Sequence, residues 1–264
     1  MHFLCFRLFA PLASFGDVAV GERRPSLRAP TRSMALGMVG ACLGLRREDA
    51  EALAELDRSF GVATRTDAEG SLLVDYHTAQ APDGARLKAF RRRMSRPPAT
   101  RREEISCTFD ARGNPTALDT QLSSRQYRSD AVFVIAIWLV DTRCRWSLEA
   151  VRDALRRPIF PPYAGRRSAA LGLPFEPQIC EATDPVAALR TVRFSLDGML
   201  APILQREETR TYRWEGEWSG LEPQLTEVRR DRVSSRARWQ FTIRNDYVRT
   251  ERIEGERAHV AEPT

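Results

Sequence analysis

The apolar positions of this chain come in short blocks, some with a period of two and some with a helical period. His2 to Phe9 is almost unbroken aromatic and aliphatic sequence ending at Pro11, which predicts a buried first strand. Thr31 or Ser33 can then cap a helix with Met34, Leu36, Met38, Val39 and Leu43 as its apolar residues, stopping at Gly44. Ala35, Gly37, Gly40 and Ala41 keep that helix slim, although each glycine costs about 1 kcal/mol of helix propensity. Such a helix makes sense if its small residues let it lie close against a sheet. Glu48 to Leu56 predicts a second short helix, and Phe60 to Thr66 a strand leading through a turn at Gly70 to Leu72–Tyr76.

Ala131 to Leu139 (AVFVIAIWL) is apolar at every position, as in a central strand covered on both faces. Ser147 caps a helix from Leu148 to Leu155, with Glu149 near its start and Arg156 and Arg157 at its end, matching the helix dipole. Phe175 to Cys180 can supply a last strand. This β-α-β-insertion-β-α-β order suits an α+β, ferredoxin-like (RRM-like) sheet over residues 1–183, a fold widely reused for RNA. After Pro185 the texture changes. Val186 to Leu196 reads as helical, Thr211 to Trp218 places Tyr212, Trp214 and Trp218 on one face, and Trp239, Phe241 and Ile243 alternate against Arg238, Gln240, Thr242 and Arg244. Residues 184–264 therefore predict a small β-rich C-terminal domain with a polar tail, its aromatics serving as core.

The intervening segment breaks the apolar rhythm. From Gly84 to Arg102 there are eight cations and no acid, with Pro97, Pro98 and Gly113-Asn114-Pro115 as further breaks. Residues 81–119 thus read as a protruding basic excursion, partly hairpin and partly mobile, that orders on binding. The whole chain of 264 residues carries a formal charge of +6, a modest pointer to a polyanionic partner. Lys88 is its sole lysine, so clustering of arginine says more than abundance. Five scattered cysteines without a CxxC pair argue for a reducing compartment. The N-terminus lacks the basic flank of a signal peptide, and the longest apolar run, Ala131 to Val140, is half a membrane span. The expected location is cytoplasmic, away from membranes.

Four clusters suit RNA, because arginine pairs with phosphate and stacks on bases while tyrosine offers a ring and a hydroxyl. Arg23, Arg24, Arg28, Arg32 and Ser33 gather at the start of the first helix, where N–H groups favour an anion. Arg91, Arg92 and Arg93 lie in the basic excursion. Arg125, Tyr127 and Arg128 precede the central strand, and Tyr163, Gly165, Arg166 and Arg167 form a loop stiffened by Pro161 and Pro162. Histidines 2, 77 and 259, with no HExxH and no paired cysteines, predict neither a metal site nor a cofactor. Tyr76 and His77 count among the candidate RNA contacts, and metal-independent RNA cleavage, which needs only an acid/base pair and cations, could also draw on them together with Lys88. A lone histidine beside an apolar strand more often has a structural role, so no catalytic residue is assigned.

In order along the chain come Ala10–Gly16 (APLASFG), Gly21–Arg24 (GERR), Ala29–Ser33 (APTRS), Asp75–Gln80 (DYHTAQ) and Arg157–Ser168 (RPIFPPYAGRRS). Over roughly Phe3 to Pro174 this set resembles the CasD family of type I-E CRISPR Cascade subunits, within the RAMP superfamily. The resemblance implies a non-catalytic RNA-binding subunit of antiviral defence that caps the 5′ handle of the mature CRISPR RNA. It also implies a backbone subunit and a large subunit as partners, target DNA met only indirectly through the guide, and the role of the family's thumb for residues 81–119. Two alternatives stay open on the residues: an endoribonuclease that processes CRISPR precursor RNA, and a general RNA-binding RAMP protein outside CRISPR.

Overall fold

The computed structural model describes residues 1–17, 19–82, 84–93, 109, 118–235, 238 and 240–253. Its elements are β1 (His2–Ala13), β2 (Arg23–Arg24), α1 (Arg32–Cys42), α2 (Ala50–Ser59), β3 (Phe60–Ala68), β4 (Ser71–Pro82), α3 (Gly84–Arg93), β5 (Leu118–Leu139), α4 (Leu148–Arg156) and β6 (Gln178–Glu181). There follow α5 (Pro185–Thr191), a 3-10 turn (Asp197–Leu200), α6 (Ala201–Leu204), β7 (Thr209–Trp214), β8 (Leu225–Ser235) and β9 (Gln240–Arg252). The chain divides into two compact units, one of Met1–Asp17, Pro25–Leu73 and Tyr127–Thr264, the other of Val18–Arg24 and Val74–Gln126.

The larger unit is built on an antiparallel sheet of order β6-β1-β5-β3-β7-β9-β8. At its centre β5 sets Ile135 opposite Phe6 of β1 and Thr64 of β3. Leu4, Phe6, Leu8, Phe133, Ile135 and Ile137 share one buried cluster with Leu36 and Val39 of α1 and with Val151 and Leu155 of α4. Phe3, Cys5, Val134, Ala136 and Trp138 belong to a second cluster, with Val186 and Leu189 of α5 and with Tyr212 and Trp214 of β7. Helices on both faces explain why Ala131 to Leu139 of β5 is apolar at every position. Each fully buried Leu, Ile or Phe contributes about 1.5–3 kcal/mol.

Arg7 is among the charged residues buried in this core. It is 1% exposed, yet its guanidinium reaches Glu176 at 2.5 Å and Asp197 at 3.1 Å and lies 5.2 Å from the Phe194 ring centroid. Burying the charge is tolerable because it is paired in this way.

The C-terminal strands are not set apart at residue 184. β7 pairs directly with β3, so the β-rich segment continues the first sheet. The helix expected to reach Leu196 stops at Thr191, where Val192 turns extended; Asp184 caps its start by accepting the Ala187 N–H at 2.8 Å. Trp218 lies beyond β7 but still meets Phe3 and Trp138, with ring centroids 5.8 and 5.3 Å away. In β9 the inward face is not the predicted apolar one: Ile243 is exposed while Arg244 turns inward.

In the smaller unit β2 runs parallel to β5, pairing Arg23 with Ser124 and Arg24 with Arg125. The basic excursion begins as the helix α3, which the charge run had hidden. Residues 94–108 and 110–117, including Pro97, Pro98 and the turn at Gly113, lie outside the described residues, as does Trp239. Among the described residues no helix is long and apolar enough to cross a membrane.

Candidate nucleic-acid interface

Thr31 caps α1 as its sequence suggested, accepting the Met34 N–H at 3.2 Å, and Ser33 follows half-buried with its hydroxyl 3.2 Å from that of Thr31. Arg32 departs from expectation. It is 2% exposed, and its Nε donates to both oxygens of Glu215 at 3.0 Å. Its Nη atoms bind the carboxylate and carbonyl of Asp57 and, at 3.0 Å, the Phe60 carbonyl. With these partners Arg32 ties α1 to α2, β3 and the turn after β7. It is buried and its guanidinium is engaged within the protein.

The helix start is also already matched with an anion. The Arg32 backbone N–H donates to Asp231 of β8 at 2.8 Å, and Arg244 holds the same carboxylate at 2.7 and 3.0 Å. Burial raises the Asp231 pKa, but the hydrogen bonds and charge of Arg244, with the Arg32 N–H, outweigh it and set the pKa below the usual aspartate range. The positive end of the dipole therefore faces a protein carboxylate.

The glycine-diarginine loop is fixed by its backbone. The Ile159 and Phe160 N–H groups donate to the Cys42 and Ala41 carbonyls, the Ser14 N–H to Ala164 at 3.0 Å, and the Ala164 N–H to Ala169 at 2.8 Å. Gly165 has φ +89°, and a Cβ there would lie 1.7 Å from the Ser14 carbonyl oxygen, so only glycine fits. This frame presents Arg167 and Tyr163 exposed and places the Arg166 guanidinium 4.5 Å from the centroid of the Tyr127 ring. Tyr127 is buried; its ring acts as a platform for Arg166 and offers no open face for a base.

Arg28 and Arg128 converge on Glu69, at 3.3 and 3.4 Å. In the smaller unit Arg23 and Arg24 are exposed, with Arg24 also donating to the Gly21 carbonyl, and Arg125 is half-buried. There, too, Tyr76 is exposed, the His77 imidazole is hydrogen-bonded to Asp75, and Lys88, Arg91, Arg92 and Arg93 are exposed on α3. The four sequence clusters are thus redistributed: Arg23 and Arg24 join Arg125, Tyr127 joins Arg166, and Arg28 joins Arg128. Asp231, Glu69 and Glu215 were missed, because acids in a basic segment read as solvated counter-charges. Among the described residues no group of three His, Cys, Asp or Glu is placed to hold a metal ion.

The chain has recognisable relatives among known proteins. The family model of CRISPR-associated protein (Cas_Cas5) matches residues 3–247. The CRISPR system Cascade subunit CasD of Escherichia coli (strain K12) is 32% identical over 195 residues, covering 71% of this chain and 75% of that protein. Among solved structures, a chain of a CRISPR RNA-guided surveillance complex superposes with a TM-score of 0.58 at 24% identity, over 96% of this chain and 91% of that one. A Cas protein crystal structure gives 0.53 at 22% identity, over 95% and 94%. These two share the fold; the family match and the CasD identity go further, and the chain belongs to the CRISPR-associated Cas5 family, as a CasD-type Cascade subunit.

Proposed function

We propose that this chain is a non-catalytic, cytoplasmic RNA-binding subunit of a type I-E Cascade complex. In this reading it caps the 5′ handle of the guide RNA and bridges a backbone subunit and the large subunit, while guide pairing reads the DNA target. The order β6-β1-β5-β3, with α1 and α4 on one face, would be its ferredoxin-like RAMP core, and residues 81–119 its thumb. The observation that carries the reading is the Tyr163–Arg167 loop. Its backbone is pinned to β1 and α1, so its exposed cation and ring lose little entropy on meeting a strand. Purifying the chain from its host with its neighbours and sequencing the bound RNA tests this. A shared 5′ end supports capping, and random fragments would sink it.

A nuclease reading would start from the Asp75–His77 pair, since an oriented imidazole is what a general base requires. Incubation of the purified chain with repeat RNA separates the two. We expect no cleavage, and specific cutting abolished by His77→Ala would reassign the protein.

A further inference from the structure

Cys5 and Cys180 stand 175 positions apart in the chain, yet their Sγ atoms meet at 3.9 Å in hydrogen-bonding contact. The pairing of β1 with β6 brings them together: Cys180 is opposite Phe3, and Cys5 is opposite Gln178. Both belong to the face of the sheet that packs under α5, the reverse of the face that α1 covers. Nothing in the RNA-binding reading calls for two thiols there.

The two thiols are unequal. Cys5 is wholly buried in the cluster of Phe3, Ala136 and Trp138, while Cys180 is half-buried at its margin. The Cys5 S–H donates to the Cys180 sulfur, which lowers the Cys180 pKa to about 7 against the opposing effect of burial. The same hydrogen bond, and then burial, pushes the Cys5 thiol well above its ordinary value. A thiol partly ionised near neutral pH and reachable from solvent makes a nucleophile, and a second thiol beside it can resolve the product. Cys42 is the contrast: it is buried, and burial pushes its thiol up to about 12.

Diagonal neighbours on paired antiparallel strands have Cα atoms about 7–8 Å apart, slightly more than a relaxed disulfide spans. Bonding therefore requires β6 to move toward β1 by about 1 Å. Among the described residues β6 is a four-residue edge strand paired with β1 alone, so it is free to give. A bond made under that constraint is readily reduced, as a reversible modification requires.

We propose that Cys180 and Cys5 form an oxidative modification site, where a hydroperoxide oxidises Cys180 and Cys5 resolves the product to an intramolecular disulfide. In the first step the Cys180 thiolate attacks hydrogen peroxide. An S–O bond forms, the O–O bond breaks, and the departing hydroxide takes a proton to leave as water. In the second step the Cys5 sulfur attacks the Cys180 sulfur. An S–S bond forms, the S–O bond breaks, and the oxygen leaves as water with the Cys5 proton. The two sulfurs together lose two electrons, and one peroxide becomes two waters. Thiol–disulfide exchange with a dithiol restores both thiols.

The test uses the full chain, reduced and then exposed to stoichiometric hydrogen peroxide, with intact mass and peptide mapping over all five cysteines. Wild type should become about 2 Da lighter through a Cys5–Cys180 disulfide and recover with dithiothreitol. Cys5→Ala keeps a small apolar side chain in the core and should accumulate sulfenic acid at Cys180, trapped by dimedone at least tenfold above wild type. Cys180→Ser should show neither the disulfide nor sulfenic acid at Cys5. In the reduced wild type, iodoacetamide should alkylate Cys180 at least tenfold faster than Cys42. A disulfide to another cysteine, a link between two chains, or dimedone trapped first at Cys144 would overturn the site, as would a Cys180 no more reactive than Cys42. If Cys5→Ala fails to fold, the Cys180→Ser and iodoacetamide measurements still decide the matter.

Discussion

The Arg32 N–H and the Asp231 carboxylate, 2.8 Å apart, join two residues separated by 199 positions and close the first turn of α1 on a partner from β8. The link makes the C-terminal hairpin part of the site's frame. Breaking it should be felt as lost stability before it is felt as lost binding.

Arg32→Ala should destabilise the fold by about 3–5 kcal/mol, because it leaves Glu215 and Asp57 without the buried cation between them. Arg32→Lys should rescue little, since an ammonium cannot replace the guanidinium's fork of hydrogen bonds. Urea unfolding midpoints measure both. A variant that unfolds like wild type but loses RNA would restore Arg32 to the phosphate ligands.

Asp231→Asn should also destabilise, by about 3–5 kcal/mol near neutral pH. The sign of its pH dependence follows from the depressed native pKa. Wild-type Asp231 contributes stability above the unfolded aspartate pKa of about 3.9 and loses it as pH falls through the lower native value. The gap between wild type and Asp231→Asn should therefore be constant from neutral pH down to about pH 4 and narrow below it. A gap that widens on acidification would contradict the assigned ionisation.

Much of this frame was legible because the chain states it locally. The central strand's apolar run, the Thr31 and Ser147 caps and the proline-glycine loop each predict their own geometry. β8 was not legible. Its inward positions are Glu227, Arg229, Asp231, Val233 and Ser235, so the period of two is carried by charge and hydrophobicity does not reveal it. Arg213, Arg229 and Arg244 pair with Glu227, Asp231 and Asp246 there, a polar core that resembles a surface when read residue by residue. Arg32 was misplaced for the same reason: whether an arginine faces RNA or a buried carboxylate depends on partners nearly two hundred residues away.

Gly165→Ala tests whether loop shape matters. With φ +89° and a carbonyl oxygen where the methyl would go, we expect a loss of about 1–3 kcal/mol and a displaced loop. RNA binding should fall alongside, and Arg166→Ala with Arg167→Ala should weaken it more than Arg92→Ala with Arg93→Ala. The first pair sits on a pinned backbone and the Tyr127 ring, so less freedom is lost on binding. A larger loss from the α3 pair would show that preorganisation is not what sets affinity.

The cations of α3 should act through salt dependence and not through sequence preference. Lys88, Arg91, Arg92 and Arg93 are exposed on one short helix, and a cation on a phosphate positions a strand without reading its bases. Every single-strand phosphate that is no longer neutralised flattens the slope of log affinity against log salt by about 0.7. If two of the four touch RNA, changing all four to Gln should lower the slope by about 1.4. The preferred 5′ sequence should stay as it was, since phosphate contacts carry no base information. Thermal stability should hardly change, because exposed side chains contribute little to the buried clusters. Altered base preference with an unchanged salt slope would mean that α3 reads bases, and the assignment of these cations to phosphate tracking would be wrong.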